Sequence, residues 1–356
     1  MTYTLIQAMR GLLAVGVVFA HCLIFLGVYG DPIYPEYLPD IFGGIPCMFF
    51  AISGFFMAML VDRASPNFLP QRLLRVYPTY FIILALAYLL RSLTSMPLNF
   101  SDFFAILPLF PFKEGLDYKL GIEWTLLYEM FYYLVCAVFC LKSLRTRFPA
   151  FLTGWFLATL AGGFFLSVPP VKPSLATIWL SIWNIGFIGG ALTYYFLKKE
   201  RTRTILLVSL LLCLASAIAV SAISNQHVHL LLMIGLGACL SVAALVKLET
   251  VFRAPRFLVS LGDNSYALYL AHVTIILLIF DLWTRYAGMR PAALAGALAF
   301  LVSLAASWPL GRMDVGLHKR LKGYFKDLAA RRRETSRLVD LEDQGTVPAA
   351  AGNKQG

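Results

Sequence analysis

Long apolar stretches separated by short polar loops recur along almost the whole chain. Each stretch has about 18–23 residues, which is enough for a helix to cross a bilayer. Because backbone groups in lipid must be satisfied within the segment, these stretches predict helices. We predict an all-α integral membrane protein, a bundle of about ten transmembrane helices, at about 5–28, 41–60, 76–93, 122–141, 149–168, 176–197, 204–222, 229–246, 258–280 and 290–311.

Composition supports this class and charge gives it an orientation. The 356 residues are 59% hydrophobic and 14% charged, with a mean hydropathy of +0.74, whereas soluble domains carry about 25% charged residues. Most of the 30 Lys and Arg lie in alternate loops and near the C-terminus. The positive-inside rule therefore places both termini in the cytoplasm, and the net charge of +11 reflects topology rather than nucleic-acid binding.

Two parts follow from the pattern. Residues 1–316 form the predicted membrane-embedded domain, and residues 317–356 form a polar cytoplasmic tail. The tail begins basic, which suits the anionic inner leaflet. It ends in Gly, Ala, Gln and Pro with little apolar content, so we expect that end to be disordered.

Arg10 and His21 lie inside the first apolar stretch. Ionisable groups at membrane depth are costly and rarely lack a function. At about 100° per residue, eleven residues make roughly three turns, so both side chains share one face about 16 Å apart. The structural alternative is a snorkelling arginine and a hydrogen-bonded core histidine.

Two further sets of charged residues lie at or near the beginnings of predicted spans. Arg72 and Arg75 are three residues apart at the start of span three. Paired guanidiniums suit a phosphate, although ordinary positive-inside anchoring explains them equally well. Glu129 lies roughly two turns into span four. A carboxylate there is either functional or a structural partner for a buried cation or tyrosine hydroxyl.

A polar stripe marks span nine. Tyr266, Tyr269 and His272 are spaced by three, so they drift slowly around one face, and we expect that face to point into the bundle. The preceding residues 263–265, Asp-Asn-Ser, are interpreted as a helix N-cap.

Small residues indicate close helix packing at two places. Ser53 and Gly54 permit close approach by another helix or a ligand, and packing is the commoner reason. Gly186 and Gly190 form a small-xxx-small pair, which favours helix contact.

Five motifs in one order give a resemblance. They are Arg-Gly with a histidine at 10–21, Phe-Phe-x-x-Ser-Gly-Phe at 49–55, Arg-x-x-Arg-x-Tyr-Pro at 72–78, Trp-Thr-Leu-x-x-Glu at 124–129, and Gly-Asp-x-Ser-Tyr-x-Leu-Tyr-Leu-x-His at 262–272. Over about 4–315 the chain resembles the acyltransferase-3 family of membrane O-acyltransferases. The resemblance implies about ten helices and transfer of an acyl group, usually acetyl from acetyl-CoA, to a hydroxyl of a bacterial surface polysaccharide or lipid-linked glycan.

The resemblance also implies roles for residues. His21 would be the catalytic general base, with Arg10 and Glu129 as further catalytic residues, Glu129 either orienting His21 or binding the sugar. The implied binding positions for substrate and acyl-CoA are Arg72, Arg75, Ser53, Trp124, Tyr266, Tyr269 and His272. One departure is the end of the last span, where the family often has Glu-x-Pro and this chain offers only Asp314, to which we assign no role.

We expect no permanently bound cofactor and no metal, with acetyl-CoA or another short acyl-CoA as donor substrate. The expected partners are the acyl-CoA, the glycan acceptor and the lipid bilayer of a bacterial inner membrane, without nucleic acid. The sequence leaves open the acceptor, acetyl against succinyl, direct transfer against an acyl-enzyme, and the oligomeric state. The alternative is a multi-pass transporter of sugar or protons that uses the buried His, Glu and Arg, although its expected inverted repeats and broken helices are not evident.

Overall fold

Helices make up all the regular secondary structure of the residues that the computed structural model describes, which are 3–28, 44–112, 115–165, 173–200, 226–288 and 292–343. They are α1 Thr4–Val28, α2 Ile45–Asp62, α3 Phe68–Arg91, α4 Phe103–Ile106, α5 Glu123–Phe139, α6 Phe148–Phe165, α7 Asn184–Lys198, α8 Gln226–Leu248, α9 Arg256–Ala287 and α10 Ala292–Asp343, with 3₁₀ turns at Arg145–Arg147 and Ile178–Leu180.

Five of these helices are long and apolar enough to cross a membrane: α1, α2, α3, α9 and the part of α10 from Ala292 to Phe325. A shorter apolar helix covers Leu232–Leu248. The predicted spans at 122–141, 149–168 and 229–246 also coincide with helices, α5, α6 and α8, whereas the one at 204–222 lies outside the described residues. The all-helical membrane class is confirmed, and the count of ten and the cytoplasmic termini stay predictions.

Contacts between helix ends define two faces of the bundle. On the N-terminal face, Glu249 after α8 accepts a hydrogen bond from the backbone N–H of Thr4 at 2.8 Å. On the far face, the backbone N–H of Ser95 after α3 donates to Asp281 of α9 at 3.0 Å. These contacts join segments that are far apart in sequence, so they fix α1 against the end of α8 and α3 against α9.

Glycines allow α1 and α9 to approach closely. A Cβ atom on Gly262 would overlap the carbonyl oxygen of Gln7, and one on Gly11 would lie 2.7 Å from the backbone nitrogen of Gly262. Only residues without a side chain fit at such a crossing. The crossing therefore determines where the rest of α1, with Arg10 and His21, sits against α9.

The same device joins α2 and α7. A Cβ on Gly54 would overlap the carbonyl oxygen of Phe187, and one on Gly190 would overlap that of Ala51. Gly186 also lies against the α2 backbone. The packing prediction for these glycines is confirmed.

The N-cap interpretation of residues 263–265 is wrong. The helix α9 begins at Arg256, after Pro255 in an extended conformation, so these residues lie two turns inside it. Asp263 instead accepts a hydrogen bond from Gln7 Nε2 at 2.7 Å, and the Ser265 hydroxyl donates to the Gly262 carbonyl at 2.7 Å. Cap-forming residue types also occur inside helices when another element supplies their partner.

The predicted span at 176–197 is α-helical only from Asn184 onward and contains a short 3₁₀ turn at Ile178–Leu180 before it. In this segment, the Asn184 side-chain amide donates to the carbonyls of Ile178 at 2.8 Å and Trp179 at 3.0 Å. The Trp155 indole donates to the Trp179 carbonyl at 2.7 Å. Buried side-chain donors thus satisfy an irregular backbone that hydropathy alone assigns to a helix.

The last helix runs without interruption across residue 316. The 52 residues of α10 extend to Asp343, so the described part of the tail is helical. The domain boundary stays a prediction, and the end expected to be disordered lies mostly in 344–356, outside the described residues.

Candidate active site

A cavity of about 360 Å³ lies among α1, α2, α3, α5 and α9. We call it the charged cavity. Seven of the ten predicted site residues line it: Arg10, Ser53, Arg72, Arg75, Glu129, Tyr266 and Tyr269. The polar residues of these five helices face the interior of the bundle, and together they surround the cavity. The roles of these residues stay predictions.

Arg75 is paired in this cavity. Its Nη1 donates to both carboxylate oxygens of Asp314, at 2.7 and 2.8 Å, and the Thr79 hydroxyl donates to Oδ1 at 2.6 Å. The guanidinium carbon also lies 4.9 Å from the ring centroid of Tyr266. Asp314 is only 1% exposed. Its buried carboxylate therefore neutralises the charge of Arg75 from outside the cavity lining.

Arg10 and Arg72 have no such neutralisation. Arg10 Nη1 donates only to the Gln7 side-chain oxygen, at 3.3 Å. Arg72 Nε is buried without a hydrogen-bond partner. In the described part of the chain, neither guanidinium has a carboxylate within salt-bridge distance. Two cations without a salt bridge, which we call uncompensated, therefore face the cavity that Glu129 also lines.

Glu129 lies with the arginines rather than with His21. It lines the charged cavity and accepts a hydrogen bond from the Tyr133 hydroxyl. This contact corresponds to the structural alternative for Glu129, in which a tyrosine hydroxyl is its partner. Across the described residues no contact joins Glu129 to His21, so the structure does not form the triad-like arrangement in which Glu129 orients His21.

Another histidine is the partner of His21 instead. His272 Nε2 lies 3.3 Å from His21 Nδ1, and the ring centroids are 4.9 Å apart. His21 Nδ1 is 2.9 Å from the Val17 carbonyl, and His272 Nδ1 is 2.6 Å from the Tyr269 carbonyl. We call His21 and His272 the histidine pair.

We assign the tautomers from these contacts. A carbonyl can only accept, so hydrogen is assigned to both Nδ1 atoms. The one hydrogen on His21 Nδ1 is then shared between the Val17 carbonyl at 2.9 Å and His272 Nε2 at 3.3 Å. His21 Nε2 has no hydrogen-bond partner in the described structure and is not a buried orphan atom. A neutral His21 thus presents a free lone pair, which is what a general base needs.

Tyr269 stands between the two parts of the site. It lines the charged cavity, and its ring centroid is 5.8 Å from that of His272. Its hydroxyl lies 2.8 Å from that of Thr125. Neither histidine lines the cavity itself.

Trp124 is the third predicted site residue outside the cavity lining. Its ring centroid lies 5.1 Å from that of Trp183 and 6.2 Å from that of Tyr128. Its described contacts are therefore aromatic packing next to Thr125.

Five residues that bond to the site in the described structure were missed from the sequence: Gln7, Thr79, Thr125, Tyr133 and Asp314. Only Asp314 had a usable signal, since an acid at the end of an apolar span is costly without a cation. The identity of its partner, 239 residues away, has no local signal.

The fold and the cavity together define a class: a multi-pass helical membrane protein that encloses a charged cavity. Among the described residues no cluster of three or more His, Cys, Asp or Glu could hold a metal ion. A family model described as an acyltransferase domain, that of acyltransferase-3, matches residues 4–312. The chain therefore belongs to the acyltransferase-3 family and is a membrane acyltransferase. The searches of curated proteins and of solved structures each found no match.

Proposed function

We propose that the protein moves an acetyl group from cytoplasmic acetyl-CoA to a hydroxyl of a surface polysaccharide or lipid-linked glycan, with His21 as general base. The observation that carries this proposal is that His21 Nε2 has no hydrogen-bond partner among the described residues and lies near a cavity with two arginines that form no salt bridge there. The setting is the inner membrane of a bacterium, with both termini in the cytoplasm.

The charged cavity suits the donor. Coenzyme A carries its negative charges on phosphates at one end and its thioester at the end of a long arm. Arg10 and Arg72 offer forked donors that form no salt bridge in the described part of the chain. The cavity follows α2 from Pro46 to Leu60, about 21 Å at 1.5 Å per residue. An extended ligand therefore fits along the cavity better than a compact one.

The histidine pair suits the chemistry. His21 Nε2 takes the proton of the acceptor hydroxyl while its oxygen attacks the carbonyl carbon of the thioester. A carbon–oxygen bond forms, the carbon–sulfur bond breaks, and the leaving thiolate takes the proton back from His21. His272 acts as a positioning residue, because it accepts from His21 Nδ1–H and so keeps Nε2 free.

Tyr269 is our candidate for stabilising the transition state. The attacked carbonyl oxygen gains negative charge, and a hydroxyl that donates to it lowers its energy. The Tyr269 hydroxyl lies 2.8 Å from that of Thr125, whose own hydrogen goes to the Ile122 carbonyl. Tyr269 therefore donates to Thr125 in this structure and would turn its hydrogen to the acyl oxygen when the donor is bound.

Transfer by purified protein tests the function. Wild type and His21→Gln would be incubated with acetyl-labelled CoA and a glycan acceptor, beside Leu12→Ala, a 48% exposed position on the same helix. We expect transfer or thioester hydrolysis with wild type and Leu12→Ala only. Equal turnover by His21→Gln would refute the general-base role. Turnover with succinyl-CoA but not acetyl-CoA would refute the acetyl donor alone.

A further inference from the structure

Asp314 separates two neighbouring arginines that the sequence presents as equivalent. Arg72 and Arg75 lie three residues apart on α3, and both line the charged cavity. This arrangement suggests that both bind the same phosphate. Their surroundings differ. Arg75 is bound by a carboxylate that is 1% exposed, whereas Arg72 has a buried Nε without a partner.

The Arg75 contact is part of a small network joining two helices. Asp314 comes from α10, and Arg75 and Thr79 come from successive turns of α3. The distances of 2.7, 2.8 and 2.6 Å are those of strong hydrogen bonds to a charged acceptor. The Tyr266 ring of α9 packs on the guanidinium, and the Tyr266 hydroxyl donates to the Val76 carbonyl at 2.9 Å. Asp314 and Tyr266 thus fix the place of Arg75, and Thr79 and the Val76 carbonyl hold these two residues in turn.

The network uses only part of Arg75. Both carboxylate contacts are made by Nη1, and the side chain is 27% exposed. Its other nitrogens remain available to the cavity, but its charge is cancelled. Arg75 can donate a hydrogen bond there without adding net positive charge.

We propose that Asp314 is a positioning residue of the acyl-transfer site. It fixes Arg75 in an ion pair that joins α3 to α10 and has no net charge. Arg72 and Arg10 are then the residues that recognise the negative charges of the donor. This inference rests on the proposed acyl-CoA donor and assigns different tasks to the two arginines of the Arg-x-x-Arg motif.

The single variant Asp314→Asn gives the distinctive signature. It removes the charge but nearly keeps the shape, so Arg75 becomes a third uncompensated cation that is no longer held. We expect CoA to bind about threefold more tightly, with a steeper salt dependence because one more cation attracts the phosphates. We expect kcat to fall about tenfold, since a misplaced group displaces the thioester. A merely structural acid would not tighten binding.

The double variant Arg75→Gln/Asp314→Asn keeps the proposal testable if the single variant fails to fold. Replacing both partners leaves no buried unpaired charge. We expect its dissociation constant for CoA to stay within about threefold of wild type, whereas Arg72→Gln weakens binding about tenfold or more. Asp327→Asn, an exposed acid on α10, is the matched control and should change nothing.

The measurement is isothermal titration of CoA into each purified full-length variant at two salt concentrations, with kcat from labelled acetyl-CoA. Loss of CoA binding by the double variant equal to that of Arg72→Gln would overturn the division of tasks, because Arg75 would then bind the donor directly. Unchanged CoA binding and kcat in Asp314→Asn would overturn the positioning role. Absence of CoA binding by wild type would instead refute the proposed donor, and this inference with it.

Discussion

The charged cavity and the histidine pair are built in opposite ways. The cavity gathers side chains from five helices, and the guanidiniums of Arg10 and Arg72 can shift by rotating about several bonds. The pair consists of two rings from α1 and α9, each anchored to a backbone carbonyl of its own helix. Recognition of charge tolerates small shifts, whereas proton transfer depends on geometry within a few tenths of an ångström. Variants of the two parts should therefore fail differently.

The largest expected effect is on the chemistry at His21. His21→Gln keeps a side chain of similar size but provides no base, so kcat should fall by about 10²–10⁴-fold. CoA binding should stay unchanged, because His21 does not line the cavity. Single-turnover rates with labelled acetyl-CoA, beside titration of CoA, measure the two separately. A weakened affinity for CoA would contradict the separation of the two parts.

The second-largest effect is expected at the crossing of α1 and α9, which positions the two histidines against each other. In Gly262→Ala the new methyl group overlaps the Gln7 carbonyl oxygen, so α1 and α9 must separate, at a cost of about 1–3 kcal/mol in stability. We expect kcat to fall by about 10²-fold, the usual effect of a displacement of about 1 Å.

Gly237→Ala is the matched control for this crossing, because a Cβ atom there meets nothing within 4 Å. Rates and thermal midpoints of both variants should be measured together. Equal kcat in the two variants would show that the crossing does not position the histidines.

A smaller effect is expected from Arg10 in the charged cavity. Arg10→Gln removes one uncompensated cation, so KM for acetyl-CoA should rise about tenfold while kcat changes little. Arg256→Gln, an exposed position on the N-terminal face, serves as control. Initial rates over a range of acetyl-CoA concentrations give the two constants, and a loss confined to kcat would place Arg10 with the chemistry instead.

The smallest expected effect lies at the start of α1. Burial alone raises the pKa of Glu249, but hydrogen bonds from the Thr4 hydroxyl and the backbone N–H groups of Leu5 and Thr4 outweigh it and lower that pKa below its ordinary value. Glu249→Gln should cost about 0.5–2 kcal/mol, as the loss of a helix cap does.

This contribution should depend on pH in a defined direction. A carboxylate with a lowered pKa stabilises the fold above its unfolded pKa of about 4.3 and loses that contribution as the pH falls through the lower folded pKa. The difference in thermal midpoint between wild type and Glu249→Gln should therefore be full at pH 7 and shrink below about pH 4.3. A difference independent of pH would contradict the cap.

Hydropathy predicted the class of fold because membrane helices carry their signal locally. It failed at the start of α7, where Asn184 and Trp155 satisfy an irregular backbone from outside the segment. It also could not tell that Asp263 lies inside α9, since its partner Gln7 is 256 residues away. Local patterns predict what a segment needs and not which distant residue supplies it.

The candidate site also has a part that local sequence patterns predict and a part that depends on distant partners. Arg10, Arg72 and Glu129 were identifiable because charges within apolar spans are costly, and the structure brings them to one cavity. The contact of His21 with His272 spans 251 residues, and that of Arg75 with Asp314 spans 239. Neither pairing could be read from spacing, because it depends on how the helices cross.

The length of the charged cavity has an electrical consequence. Along α2 it occupies about 21 Å of a hydrocarbon layer that is about 30 Å thick. In the proposed orientation the cavity opens toward the cytoplasm, and the transmembrane voltage then falls mainly across the part of the layer that the cavity does not occupy. Each elementary charge that crosses this layer exchanges about 2.3 kcal/mol per 100 mV with the membrane. Phe49 and Tyr269 line the cavity with ring centroids 6.0 Å apart, so in the proposed orientation their rings form part of the boundary that this voltage crosses.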